Sequence, residues 1–439
     1  MFEHKLNLGG KMSLKTRTYS ELKSYYDQVL NKDKSSFKTS NDEPTPIGCV
    51  EEMFEKIPSE LWSRTDLKIL DPCCGNGNFH LVSYNKLFEN GHTHDNIINK
   101  VLHFNEINEI RIDNVKDVFG TNVNMTKKDF LTFDTEHKYD LICANPPYAK
   151  FTSEGKRASK NHTLVRDFMS MSLKLLKPNG YLVFIVPNNW MSLADRNLLI
   201  KEITKFKFLH LDIHGAKKWF PKIGSSFTWM VVQKTSALGD YTVKSNYLKN
   251  NYSGVASNGQ RDFIPLLWNR HVQSIFSKTI ENKNKKFKVE TSSDLHKYTK
   301  RDLISKTQDH RFKYRLIHTP KQTVWSLKPH KFQSGYKCFI STTDKYKTFV
   351  DDCGMTQSIA FIRCKDHFEA QRVKTILEHD LYRFLNNLCR WGNFNNIRIL
   401  QKFPTPQNEE NVYESFKITK DEIKFIETVL NHSKQEKAL

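Results

Sequence analysis

Tyr139-Asp140-Leu141-Ile142-Cys143-Ala144-Asn145-Pro146-Pro147-Tyr148 is an apolar run that ends abruptly in Asn-Pro-Pro-Tyr. The run reads as a strand, and the prolines end it: neither has an N–H to give to a ladder, and each restricts the residue before it. Asn145 therefore stands at a rigid strand exit. On both sides of this strand, apolar runs of strand length alternate with helical periodicity. Upstream, residues 67–70 lead into Asp71-Pro72-Cys73-Cys74-Gly75-Asn76-Gly77-Asn78-Phe79, followed by a helical pattern at Leu81, Tyr84, Leu87 and Phe88. A second strand over 101–104 ends in Asn105-Glu106. Downstream, a helix over 164–176 stops at Pro178-Asn179-Gly180, and strands follow at 181–186, 206–213 and 227–233. This alternation implies an α/β fold, a doubly wound and mostly parallel sheet with helices on both faces.

The strand exit has a chemistry of its own. An exocyclic amino group on a planar base has two hydrogens, and the Asn145 side-chain oxygen and the Pro146 carbonyl would accept them. Accepting both draws the nitrogen toward tetrahedral geometry and localises its lone pair for attack on an electrophilic methyl group, while the Tyr148 ring stacks on the base. An ordinary strand-to-loop exit would carry the same punctuation.

The Gly-rich turn after residues 67–70 lets backbone approach a ligand, and the acid at the strand end, Asp71, would hold a positively charged amino group. The turn lacks the G-x-x-x-x-G-K-[ST] of a phosphate loop and does not match G-x-G-x-x-G, which sets nucleoside triphosphates and NAD aside. Glu106, at the end of the second strand, is placed to hold both hydroxyls of a ribose, although a surface carboxylate would look the same. Asp129 would accept from an adenine amino group, and Phe130 would cover its ring.

Over the 439 residues, 68 Lys and Arg against 48 Asp and Glu give a formal charge of +20, which makes nucleic acid the first partner to test. The 8 cysteines show no ligand or framework spacing, and reduced thiols are the simplest reading. The 17 histidines show no metal-binding pattern, so no metal is expected. The N-terminus lacks an apolar signal core and no stretch reaches membrane-span length, so a cytoplasmic protein is expected.

Residues 1–40 read as a polar lead-in with one packing helix, residues 41–238 as the catalytic domain, and 239–439 as a further domain. Residues 151–161, with Lys156 and Arg157, read as a basic loop beside the cleft or a solvated connector. Residues 236–260 read as polar and Asn/Ser/Gly-rich. Beyond them, Arg311-Phe312-Lys313-Tyr314-Arg315 interleaves cations with rings, residues 369–388 are helical, and Arg390-Trp391-Gly392-Asn393-Phe394-Asn395-Asn396-Ile397 is a loop rich in amides.

Taken in order, these residues resemble the gamma-class N6-adenine DNA methyltransferases of restriction-modification systems. Pro44-Thr45-Pro46 resembles the N-terminal cofactor motif, Asp71 to Phe79 the Gly-rich motif, Glu106 the ribose motif, Asp129-Phe130 the adenine motif and Asn145 to Tyr148 the catalytic motif. Phe220, in Trp219-Phe220-Pro221, resembles the second ring against the base, although Phe227 competes for that role. The resemblance covers roughly residues 40–235. It implies a seven-stranded class I S-adenosylmethionine-dependent methyltransferase sheet and a C-terminal α+β target-recognition domain. It also implies S-adenosylmethionine held by Thr45, Asp71, Gly75, Gly77, Glu106, Asp129 and Phe130, with Asn145, Pro146, Tyr148 and Phe220 acting on a flipped-out adenine of double-stranded DNA. A companion restriction endonuclease and a monomeric enzyme are the further expectations. An RNA or protein-glutamine methyltransferase would share the Asn-Pro-Pro-Tyr chemistry.

Overall fold

The computed structural model describes residues 12–33, 35, 43–148, 163–195, 197–221, 224, 226–343 and 345–435. The basic loop at 151–161 lies outside them. The chain divides into two compact units, one of residues 1–190, 198–244 and 257–261, the other of 191–197, 245–256 and 262–439.

The largest sheet has the strands β1 (Ile69–Asp71), β2 (Leu102–Asn105), β3 (Asn124–Thr126), β4 (Tyr139–Ala144), β5 (Leu176–Pro187), β6 (Phe206–Ile213), β7 (Phe227–Ser236), β8 (Asp240–Tyr247) and β9 (Asn250–Ser257), of which β1 to β7 lie in the first unit. Their spatial order is β3-β2-β1-β4-β5-β7-β6-β8-β9. β3, β2, β1, β4 and β5 run parallel, and β7 runs antiparallel between β5 and β6. The order reverses at β1 and β4, which places their carboxyl ends at the crevice where such sheets bind ligands. Asp71 and Asn145 stand at that crevice.

The sheet has nine strands, not seven. β8 and β9 form from the stretch read as polar, because Tyr241, Val243, Ser245 and Tyr247 are buried while the residues between them are more exposed. β5 also begins earlier than expected: Leu176 pairs with Tyr139, and a bulge with Asn179 at φ 61° carries the chain through Pro178 and Gly180. Three-residue β3 has no apolar pattern of its own. It is recruited by pairing with β2 and by the Asn124 amide, which donates to Ile98 and Leu102 carbonyls.

One side of the sheet is covered by the helices Ile47–Phe54 and Asn78–Glu89, and the N-terminal helix Tyr19–Tyr25 joins the same core through Leu22, as does the π-helical segment Tyr26–Leu30 that continues it, through Tyr26 and Leu30. The N-terminal helix starts at a capping box in which Thr18 and Glu21 satisfy each other's backbone N–H groups. The N-terminal segment does more than pack. The Tyr26 hydroxyl donates to the Asn76 carbonyl at 2.7 Å, and Asn78 donates to the Asn31 side chain and the Thr45 carbonyl, so the segment grips the Gly-rich turn.

At the opposite end of β4, Asp140 is buried and accepts from the Lys68 N–H at 2.9 Å, with Arg64 and Lys177 each 2.8 Å from its carboxylate. Asp140→Ala removes an acceptor shared by three donors, two of which are solvated cations that rehydrate in part. We expect a loss of about 2–3 kcal/mol, below the full cost of a broken buried pair. A lower urea midpoint at unchanged slope would show it, with the site five residues along the strand undisturbed.

The second unit holds two four-stranded sheets. One has the order Glu290–Thr291, Ile359–Arg363, Lys337–Ser341, Thr348–Asp351; the other Ile304–Ser305, Gln322–Ser326, Tyr314–Thr319, Gly354–Met355. The stretch read as helical over 369–388 is two helices, His367–Leu377 and Asp380–Leu388, with the His379 ring accepting from the Leu381 N–H at the start of the second. Buried Glu422, on the helix Lys420–Gln435, pairs with Lys278 at 2.7 Å.

Candidate active site

The Gly-rich turn is held open by its own backbone. Gly75 and Gly77 have φ of 55° and 87°, the left-handed region that penalises a side chain. Gly77 has a second constraint, since a Cβ there would lie 2.9 Å from the Phe119 ring. Nothing comparable crowds Gly75, whose Cβ direction is open. Asp71 is 1% exposed and accepts from the Cys73 N–H at 3.1 Å. Burial pushes its carboxyl well above the ordinary value, and the charge of Glu106 adds to the shift.

Glu106 closes the turn from the β2 side. Its carboxylate accepts from the Gly75 N–H at 3.0 Å, the Ile107 N–H at 2.8 Å and the Asn108 N–H at 3.0 Å, with Arg111 3.9 Å away. Asn105, which motif reading passed over, ties the pieces together. Its amide donates to the Pro72 and Lys128 carbonyls, its side-chain oxygen accepts from the Lys128 N–H, and its own carbonyl accepts from Cys74. Its signal was there: a buried Asn beside the strand-end acid has to find partners. Two carboxylates at one glycine turn suit a ligand that brings a positive charge and hydroxyl donors.

At the end of β4, the Asn145 side-chain oxygen accepts from the Tyr148 hydroxyl at 2.8 Å, and its amide donates to the Glu43 carbonyl at 3.4 Å. The Cys73 thiol reaches the Asn145 carbonyl at 3.7 Å, joining the glycine turn to the Asn-Pro-Pro-Tyr stretch. Pro146 is buried, and Tyr148 is half-buried. The Tyr148 ring lies 6.0 Å from Phe227, and Phe227 lies 5.3 Å from Phe220, so the three rings form a row. Phe227 is its middle member. Phe220 and Phe227 are 6% and 2% exposed, so both competing rings are drawn into one cluster.

The loop bearing Phe220 is fixed from the helix Ile47–Phe54. The Trp219 ring lies on Gly48, where a Cβ would fall 2.4 Å from it, and its indole N–H donates to Glu52 at 3.0 Å. Lys218 pairs with the same Glu52. The loop starts at Asp212, whose carboxylate accepts from the Gly215 N–H at 2.6 Å. Burial raises the Asp212 carboxyl from 3.8 to about 6; the Gly215 N–H, Lys244 and Lys218 pull it down, and Glu52 adds to the rise.

A raised folded-state value means that the contribution of Asp212 to stability is fully present below about pH 4 and lost as pH rises through about 6. Asp212→Asn keeps an acceptor for Gly215 without the charge. It should match the parent near pH 4 and exceed it by roughly 2–3 kcal/mol above pH 7, measured by urea unfolding across that range.

The remaining cofactor candidates are placed differently. Thr45 is 3% exposed, and its carbonyl accepts from Asn78. Asp129 is exposed and accepts from the Leu131 N–H at 3.0 Å, capping a short turn. Phe130 is 2% exposed, with its ring 5.2 Å from Phe168. Among the described residues no group of three or more His, Cys, Asp or Glu side chains is arranged to hold a metal, and no helix is long and apolar enough to cross a membrane. In the second unit, Arg315 of the cation–ring stretch pairs with Asp351 at 2.6 Å, and the Arg311 guanidinium lies 5.9 Å from the Phe312 ring.

Comparison with known proteins gives the same reading over the centre of the first unit. Residues 60–220 match the family model of the Eco57I restriction-modification methylase. The type II methyltransferase M.VspI of Vibrio sp. (strain 343) is 28% identical over 161 residues, 34% of this chain and 38% of the relative. M.AccI of Acinetobacter calcoaceticus is 30% identical over 111 residues, 22% of this chain and 20% of the relative. A tRNA1(Val) (adenine(37)-N6)-methyltransferase of Aliivibrio fischeri (strain ATCC 700601 / ES114) is 40% identical over 65 residues, 13% of this chain and 28% of the relative. The matches thus span well under half of each relative.

Two solved structures share the fold. The ATP-dependent type ISP restriction-modification enzyme LlaBIII bound to DNA aligns with 92% of this chain and 40% of its own, at TM-score 0.51 and 13% identity. The DrdV–DNA complex aligns with 91% and 59%, at TM-score 0.50 and 11% identity. The first unit therefore carries a doubly wound, mostly parallel α/β sheet and, over residues 60–220, is similar in sequence to the Eco57I restriction-modification methylases.

Proposed function

We propose that this protein transfers a methyl group from S-adenosylmethionine to the N6 amino group of an adenine flipped out of a short duplex sequence, and that the second unit recognises that sequence. The observation that carries the reading is the joining of Asn145 to the glycine turn: Cys73 gives its N–H to Asp71 and its thiol to the Asn145 backbone carbonyl, while Glu106 accepts from the Gly75 N–H of the same turn. Supporting it are the ring row beside Asn145, the restriction-modification relatives and the excess of cations. Pairing with a restriction endonuclease belongs to the same proposal.

The residues at the turn fit S-adenosylmethionine. Buried Asp71, at the end of β1, would face the amino group of the methionine part. Glu106 would accept from the ribose hydroxyls, and the open side of Gly75 leaves backbone free to approach. Asp129 and Phe130 would take the adenine end. When bound, the cofactor supplies an electrophilic methyl group.

The chain's own residues then act on the base. Asn145 Oδ1 and the Pro146 carbonyl accept the two N6 hydrogens, which localises the nitrogen lone pair and stabilises the positive charge that develops there. For this Oδ1 must exchange the Tyr148 hydroxyl for the substrate hydrogen. The Tyr148 ring stacks on the base, and Phe220, backed by Phe227, bounds the pocket. Stacking offsets the few kcal/mol that flipping costs.

The match to a tRNA adenine methyltransferase supports RNA as a second substrate reading. Radiolabelled S-adenosylmethionine offered with duplex DNA, tRNA or protein separates the two, with nucleoside mass spectrometry identifying the product. N6-methyladenine in DNA is the expected result; label confined to RNA or protein would overturn the proposal.

A further inference from the structure

Phe394 is 63% exposed, although the loop that carries it is among the most firmly tied in the second unit. On its C-terminal side, Asn395 is 2% exposed: its N–H donates to the Thr342 carbonyl, its amide to the Ser341 carbonyl, and its oxygen accepts from Asn386. Asn396 accepts from the Arg398 and Ile399 N–H groups and donates to the Leu193 carbonyl. On the N-terminal side, the Arg390 guanidinium donates to the Asn393 carbonyl at 2.7 Å, and the Trp391 indole to the Ile264 carbonyl at 2.9 Å. The side-chain amides of Asn395 and Asn396 are therefore spent on holding the loop. They hold an apolar ring outward in one place.

Local charge narrows what that ring meets. From position 381 to 408 the sequence has Arg383, Arg390, Arg398 and Lys402 and not one Asp or Glu; Arg383 pairs with Asp380 and Arg398 with Asp195, which among the described residues leaves the charges of Arg390 and Lys402 to an outside partner. Phe368, more exposed at 86%, offers the contrast: Asp366 and Glu369 flank it. An outward ring next to the Asn393 carbonyl that Arg390 holds complements a polyanion with stacked planar faces between its charges.

We propose that Phe394 inserts against a base step of duplex DNA, with Arg390 and Lys402 facing the backbone. An apolar side chain in such a position unstacks or caps a step and gains a stacking partner in exchange. The proposal rests on the DNA reading above, and its test separates the two.

Full-length protein is titrated with plasmid-derived duplex containing the methylated site, found by mapping, at several salt concentrations. Phe394→Ala should weaken binding about tenfold to a hundredfold at every salt concentration, the range expected for one aromatic–base stack. The log–log salt slope should not change, because no phosphate contact is lost. Phe394→Trp should bind within about threefold of the parent, since it keeps a stacking face. Both variants should melt like the parent, as the ring is mostly in solvent. Parent-like binding by Phe394→Ala, a changed slope, or a Trp variant as weak as the Ala variant would overturn the role of Phe394 and leave the DNA reading standing. A parent protein that binds and methylates no duplex would overturn both.

Discussion

Asn145→Ala should lower the methyl-transfer turnover number by about a hundredfold to a thousandfold while leaving S-adenosylmethionine affinity within about twofold, the pattern of an interaction made chiefly in the transition state. The side chain leaves the β4 exit at a point where Pro146 is buried and the Cys73 thiol meets the Asn145 carbonyl, so the backbone has reason to hold when the amide is gone. What disappears is one of two acceptors for the N6 hydrogens, together with the oxygen that now accepts from Tyr148. Single-turnover rates and calorimetric cofactor titration measure the two quantities separately. Turnover close to that of the parent would remove Asn145 from the chemistry.

Glu106→Ala should produce the converse pattern, with cofactor affinity falling about a hundredfold, or near 3 kcal/mol, as charge-assisted bonds to the ribose are lost. The carboxylate has a second task here. It accepts from the Gly75, Ile107 and Asn108 N–H groups, and losing that support loosens the turn that must receive the ligand. Folding stability should fall too, by about 1–3 kcal/mol for donors left without an acceptor. Glu106→Gln keeps one acceptor oxygen and should lie between the two. An unchanged dissociation constant in Glu106→Ala would move the ribose site elsewhere.

The two substitutions divide the site along the line at which its halves meet. In the proposed reading the glycine turn, β2 and the N-terminal segment would shape the cofactor side, whereas the β4 exit and the Trp219-Phe220 loop would shape the substrate side. The Cys73 thiol crosses between them. A change there should therefore move both affinity and turnover.

What the sequence determined by itself is whatever depends on near neighbours. Two prolines after an apolar run end β4 at Asn145, glycines at 75 and 77 permit left-handed backbone, and alternating periods announce a mostly parallel sheet. What only the tertiary structure decided is which distant residues meet. Tyr26 bonds to a carbonyl 50 positions along the chain, Asn145 to one 102 positions back, and Trp219 to a carboxylate 167 positions back. Three-residue β3 and polar β8 and β9 exist because the sheet edges offer unpaired N–H and C=O groups, not because their own patterns demand strands. Residues 191–197 count with the second unit although they are bracketed in sequence by the first. Phe220 and Phe227 look like alternatives on paper; packing puts both in one row beside Tyr148. Dihedral preference and apolar period are carried by a few adjacent side chains, whereas partner choice depends on register and volume across the folded core.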